Sequence, residues 1–242
     1  MKIKISLIIT IMSILVAGCS INNKEDNYVA DSVTKQKTMT KVQNDASEII
    51  DKDYDYVIKN MGIPRSIFYY INLSDVEKSK TVEELIDEKT FKVLTYPKNT
   101  EDSNIEKSAL YISLEDNKVI DVETRGLLEG SEEVSTDDSY IIIEKRREEA
   151  KLLSKDIEGL DFKKYMGVNI KDFESLLGDN SYDFKIFDKS RKENVIGYLL
   201  KEDSGEIKKA LVISKEGKNI KNIKIIDKKS SVNSILGSII RD

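Results

Sequence analysis

The chain has 242 residues, 39 basic and 44 acidic side chains, a net charge of −5, one cysteine, and no histidine or tryptophan. One cysteine permits no internal disulfide, and without histidine the usual general base near neutral pH and the commonest transition-metal ligand are missing. Serine–histidine, cysteine–histidine and metal-hydrolase chemistry are thereby excluded, so only carboxylate, lysine or tyrosine chemistry remains and no metal or cofactor is expected.

Lys2 and Lys4 open the chain, and Ile5 to Ala17 then run for thirteen residues without a charge. Spanning a bilayer takes about 20 apolar residues, so this run is too short to be an anchor helix. It ends in Val16-Ala17-Gly18-Cys19, small residues before the only cysteine, and Asn22 to Asp26 close it abruptly. That order predicts a secretory signal over residues 1–18. It resembles a bacterial lipoprotein signal, whose lipobox ends in cysteine. The resemblance implies that Cys19 receives a diacylglyceryl group and becomes the mature N-terminus. It places the protein on the extracytoplasmic face of the cell membrane, or in the periplasm of a double-membraned cell. One acyl chain binds a membrane only marginally and two hold it well.

The remaining 224 residues carry a net charge of −7. Such a chain lacks the basic surface that nucleic-acid phosphates demand. As a whole it is also mildly repelled by anionic headgroups, so the lipid is needed to hold it.

Residues 19–44 are polar with almost no apolar period, the pattern of a flexible tether. Asp51 to Met61 reads as a helix stopped by Gly62 and Pro64. Arg65 to Leu73 reads as a strand, Thr81 to Glu88 as a short helical insertion, and Phe91 to Tyr96 and Ser108 to Leu114 as strands. Asp116-Asn117 is a tight turn into a hairpin strand from Val119 to Glu123. Residues 129–138 form an acidic linker. A helix is expected from about Ser139 to Glu158, with Ile143, Ala150, Leu153 and Ile157 on one face. A further short helix ends at Leu176-Leu177-Gly178. Strands follow at Tyr182 to Phe187, Val195 to Lys201, Lys208 to Lys215 and Asn219 to Ile226.

The hairpin beginning Ala109-Leu110-Tyr111-Ile112-Ser113-Leu114-Glu115 sets against Ala210-Leu211-Val212-Ile213-Ser214-Lys215-Glu216, each followed by a turn and a strand. Met61-Gly62 and Leu177-Gly178 likewise both close a helix before an aromatic strand. This predicts an α+β fold of two tandem repeats, residues 45–128 and 139–242, each with helices packed on a four-stranded antiparallel sheet. Met61-Gly62-Ile63-Pro64 and the hairpin at Asp116-Asn117-Lys118-Val119 resemble the tandem domains of the beta-lactamase-inhibitor-protein-like class and the SmpA/OmlA lipoprotein domain. The resemblance implies protein binding and no catalysis. Two features depart from it: this chain has no disulfide, and Gly178 is followed by Asp179-Asn180 without a proline.

Two motifs suggest chemistry and fail on their surroundings. Asp51, Asp53 and Asp55 have calcium-loop spacing, but Tyr56 and Gly62 stand where an EF-hand needs glycine and glutamate. Acidic residues at a helix N-terminus account for them. Ser32-Val33-Thr34-Lys35 matches a Ser-x-x-Lys nucleophile but sits in the tether, without companion motifs.

Tyr69 and Tyr111 are the candidate binding residues. Successive strand residues face opposite ways, and aligning the repeats puts Tyr69 opposite Lys185 and Tyr111 on the face of Ser113. Tyrosine on an open sheet face suits protein recognition; alternatively the Ser74–Glu88 insertion folds over that face and makes it core. The sequence thus points to a lipid-anchored, non-catalytic module binding a protein or cell-wall partner. Two alternatives are an envelope enzyme using a carboxylate pair on wall glycans and small-ligand capture between the repeats.

Overall fold

A computed structural model describes residues 42, 46–78, 80–87, 89–97, 108–126, 139–146, 150–178, 182–188 and 193–240. The signal, Cys19, the tether apart from Val42, the Ser32–Lys35 motif and the acidic linker lie outside the described residues.

Helix α1 (Tyr54–Met61) begins where the Asp53 carboxylate accepts the Tyr56 N–H at 2.8 Å. Its buried Val57 and Met61 are four residues apart and so share one face. Gly62, at a φ of 83°, ends it by donating its N–H to the Ile58 carbonyl. Strand β1 (Ser66–Asn72) leads into two short helices, α2 (Leu73–Val76) and α3 (Val82–Leu85). The second starts with a capping box, in which Thr81 and Glu84 satisfy each other's backbone N–H groups. Strands β2 (Lys92–Pro97), β3 (Ser108–Glu115) and β4 (Lys118–Gly126) complete a meander. The β3–β4 turn places Asp116 and Asn117 at φ values of 47° and 66°. Those left-handed conformations match the strand twist in a tight hairpin.

Strand β5 (Tyr140–Lys145) follows, then the short β6 (Leu152–Leu153), α4 (Ser154–Glu158), a 3-10 turn (Phe162–Tyr165) and α5 (Ile170–Leu176). A second meander contains β7 (Phe184–Asp188), β8 (Glu193–Lys201), β9 (Ile207–Glu216) and β10 (Asn219–Asp227). Helix α6 (Val232–Ile240) closes the chain, with the Ser231 hydroxyl accepting the Ser234 N–H.

These strands join in one sheet of ten, in the order β10-β9-β8-β7-β5-β1-β2-β3-β4, with β6 running parallel beside β8. This overturns the expectation of two separate repeats, each with its own four-stranded sheet. The strand responsible is β5. It pairs with β1 from Ile67↔Lys145 to Asn72↔Tyr140, and with β7 from Ile141↔Asp188 to Lys145↔Phe184. The helix expected over 139–158 is therefore a central strand, and only Ser154–Glu158 is helical. Ile141, Ile142 and Ile143 explain the difference. Three consecutive β-branched residues suit a pleated strand covered on both faces, and all three are fully buried.

The two faces are covered differently. On one, Val57 and Met61 of α1 pack against Leu94, Leu110 and Ile112. Farther along that face, Val76 of α2, Leu85 of α3 and Ile235, Leu236 and Ile239 of α6 close over Tyr69, Ile71, Ile143, Ile186 and Val212. On the other face, Ile157 of α4 and Phe173 of α5 pack against Tyr198, Leu200, Leu211 and Ile213. Each such aliphatic or aromatic burial contributes about 1.5–3 kcal/mol.

Both edge strands are partly capped by the segments entering α1 and α5. Val119 exchanges backbone hydrogen bonds with Asp51 and Lys52, and Ile220 with Gly167 and Val168. Such pairing blunts an exposed edge. No helix among the described residues is long and apolar enough to cross a membrane.

Candidate functional site

Tyr69 and Tyr111, the residues expected on an open binding face, are both interior. Tyr69 is 9% exposed and lies beneath Val76 and Leu85, so the 74–88 insertion does fold over it. Tyr111 is 2% exposed and packs with Phe68, Val93, Ala109, Ile142 and Phe187. Its hydroxyl donates to the Gly126 carbonyl at 3.1 Å, and the Arg125 guanidinium stands 4.3 Å from its ring centroid. The two rings also occupy different faces. Strand pairing takes Tyr69 across to Lys92 and Ile143, whereas Tyr111 lies across from Thr95, which pairs with Ser66. The structure does not bring them together as one surface.

The buried carboxylates are tied into the fold. Glu144, on β5, accepts from Arg146 Nε at 2.8 Å through one oxygen and from the Tyr182 hydroxyl at 2.7 Å through the other. Lys185 is its cross-strand neighbour, and Arg146 stacks 4.1 Å from the Tyr182 ring centroid. Burial works to lower the Arg146 pKa; Glu144, and then Tyr182, outweigh it and hold the guanidinium above its usual value. Among the acids singled out by calcium-loop spacing, Asp53 serves as a helix cap. Among the described residues, no group of three or more candidate ligands is placed to hold a metal ion.

A cavity of about 190 Å³ remains on the face covered by α2, α3 and α6, between α3, α6 and the second meander. Val82 and Ile86 form one wall and Ile235 the roof. Phe184, Leu199, Ala210 and Ile226 form the floor. Two contacts hold the roof against the wall: Thr81 bridges Ser231, and Val232 donates its N–H to the Lys80 carbonyl at 3.1 Å. The Phe184 ring has room only because residue 197, its cross-strand partner, is glycine. A Cβ there would stand 2.0 Å from the ring.

Four charged side chains complete the lining: Glu83, Lys145, Asp183 and Lys228. Glu83 and Lys228 form an ion pair at 2.7 Å. Asp183 is buried, and one of its carboxylate oxygens accepts the Leu199 N–H at 2.7 Å. Lys145 makes no ion pair with a described residue, so one ammonium remains at the cavity wall. An apolar hollow with a few convergent polar groups is the usual form of a small-ligand site. An apolar cavity of about 150 Å³ already takes a benzene ring.

Sequence reasoning missed this site because α6 was not assigned. Its signal was present: Val232, Ile235, Leu236 and Ile239 recur at helical spacing after a serine cap. No protein-family model, curated protein or solved structure matches the chain.

Proposed function

We propose that this chain is a lipid-anchored, non-catalytic binding module of the cell envelope that captures a small, largely apolar ligand. The observation that carries the reading is the cavity between α3, α6 and the sheet. Its aliphatic floor and walls favour an apolar body, and Lys145 offers a cation to a polar end. The burial of Tyr69 and Tyr111 removes the support for recognition through an open sheet face. Glu144 serves as half of an internal ion pair, which favours a structural role over acid–base work on glycans. The envelope address rests on the signal that ends at Cys19.

Two experiments test the reading. Mass spectrometry of the protein extracted from membranes is expected to find a diacylglyceryl group on Cys19 that Cys19→Ala lacks; an unmodified Cys19 in wild type would refute lipid attachment. Ala210→Leu and Ala210→Phe fill the cavity floor from β9. Wild type is expected to bind the neutral dye N-phenylnaphthylamine, with about a tenfold loss for leucine and more for phenylalanine. The leucine variant adds three carbons and costs about 1–3 kcal/mol of overpacking, so its melt confirms that it remains folded. Equal dye binding by the folded variants and wild type would remove the cavity as the site.

A further inference from the structure

The net charge conceals a strong segregation along the sheet. Residues 45–128 carry 18 acidic and 11 basic side chains, whereas residues 139–242 carry 18 acidic and 22 basic. Among the described residues, 46–126 carry 13 acidic and 9 basic side chains and 139–240 carry 14 acidic and 17 basic, so the half of the sheet that ends in β4 is net acidic and the half that ends in β10 net basic. Eight strand spacings of about 4.8 Å separate the β4 and β10 edges by about 38 Å.

At the β10 end the fold gathers lysines at one corner. Lys163 and Lys164 lie on the 3-10 turn, Lys171 opens α5, Lys215 and Lys218 flank the β9–β10 turn, and Lys221 lies on β10. Backbone hydrogen bonds from Gly167 to Ile220 at 2.8 Å and from Ile170 to Lys218 at 2.9 Å bring these segments together. Lys164 has Asp161 at 3.7 Å. Lys163, Lys171, Lys215, Lys218 and Lys221 make no ion pair with any described residue; Asp161, Asp172 and Glu216 lie close beside them in these segments, so the corner's six lysines leave it positive by three. Met166 is 45% exposed and lines a recess of about 250 Å³ together with Lys221 and Lys224.

We propose that this corner docks on an anionic phospholipid surface. The Debye length is about 8 Å at physiological ionic strength. The far edge of the acidic half, about 38 Å away, is thus screened from the membrane, while lysines at the surface feel its full potential. Each contributes about fivefold in partitioning. Met166 adds an apolar side chain between the lysines, which a lipid interface accommodates and a soluble polyanion does not require. The docking is separate from ligand capture and from acylation: it sets which edge faces the bilayer.

The test uses the chain from residue 19 with Cys19→Ser, so that no acyl group contributes. Vesicles of phosphatidylcholine alone are compared with vesicles containing phosphatidylglycerol, at low and high salt. Binding to the anionic vesicles only, weakened by salt, is expected. Lys215→Glu, Lys218→Glu and Lys221→Glu together should reduce it by at least about 100-fold. Lys59→Glu, Lys89→Glu and Lys118→Glu, which change the net charge equally on the other half, should leave it within about twofold. Equal binding to both vesicle types, or equal loss from both triple variants, overturns the proposal. So does capture of soluble polyphosphate without vesicle binding.

Discussion

Tyr69→Asp is expected to unfold most of the protein at room temperature. The ring lies under α2 and α3 among Ile71, Val76, Leu85 and Ile143. Deleting a buried aromatic side chain costs about 3–5 kcal/mol. The carboxylate left in its place would lose its hydration in an apolar surround, which costs more again. Folded domains have only about 5–15 kcal/mol in total. Urea denaturation of wild type against the variant measures the loss. Tyr56→Asp, on the exposed side of α1, is the matched control and should stay within about 0.5 kcal/mol. A stably folded Tyr69→Asp would restore the open-face interpretation.

The second large effect is expected at the ion pair on β5. Glu144→Ala leaves Arg146 partly buried and without its carboxylate, beside Lys185 in the next strand. Removing one partner of a buried pair costs about 3–5 kcal/mol, because the remaining charge is stranded. Glu144→Gln keeps one acceptor oxygen for Arg146 and places an amide N–H that can donate to the Tyr182 hydroxyl oxygen, so its loss should be clearly smaller. The urea midpoints of the two variants separate lost charge from lost hydrogen bonding. If both variants matched wild type, the pair would be contributing nothing to the central strand.

This strand also marks where sequence reasoning stopped short. Elements announced by local chemistry were legible: the helix that Gly62 stops, the short helix after Thr81, the turn at Asp116-Asn117, and both C-terminal hairpins. Each depends on a few neighbouring residues whose conformational preferences are strong. Residues 139–158 failed because Ile143, Ala150, Leu153 and Ile157 mimic a helical face, which outweighed the continuous isoleucine run. The error then spread to the architecture. With β5 taken as a helix, nothing remained to join the two meanders, and two sheets followed.

The position of Tyr69 was undetermined for a related reason. Whether its face is open depends on where the 74–88 insertion docks, a tertiary fact that strand alternation does not contain. The cavity was less accessible still. Its floor comes from β7 to β10, its wall from α3 and its roof from α6, so no sequence window holds it.

Ligand capture is tested most directly by native mass spectrometry of the protein extracted gently from membranes, comparing wild type with Ala210→Leu. A bound small molecule of defined mass on wild type, absent from the folded leucine variant, is the expected result. Wild type without a bound species that also fails to take up N-phenylnaphthylamine would contradict capture and leave the cavity as a packing defect.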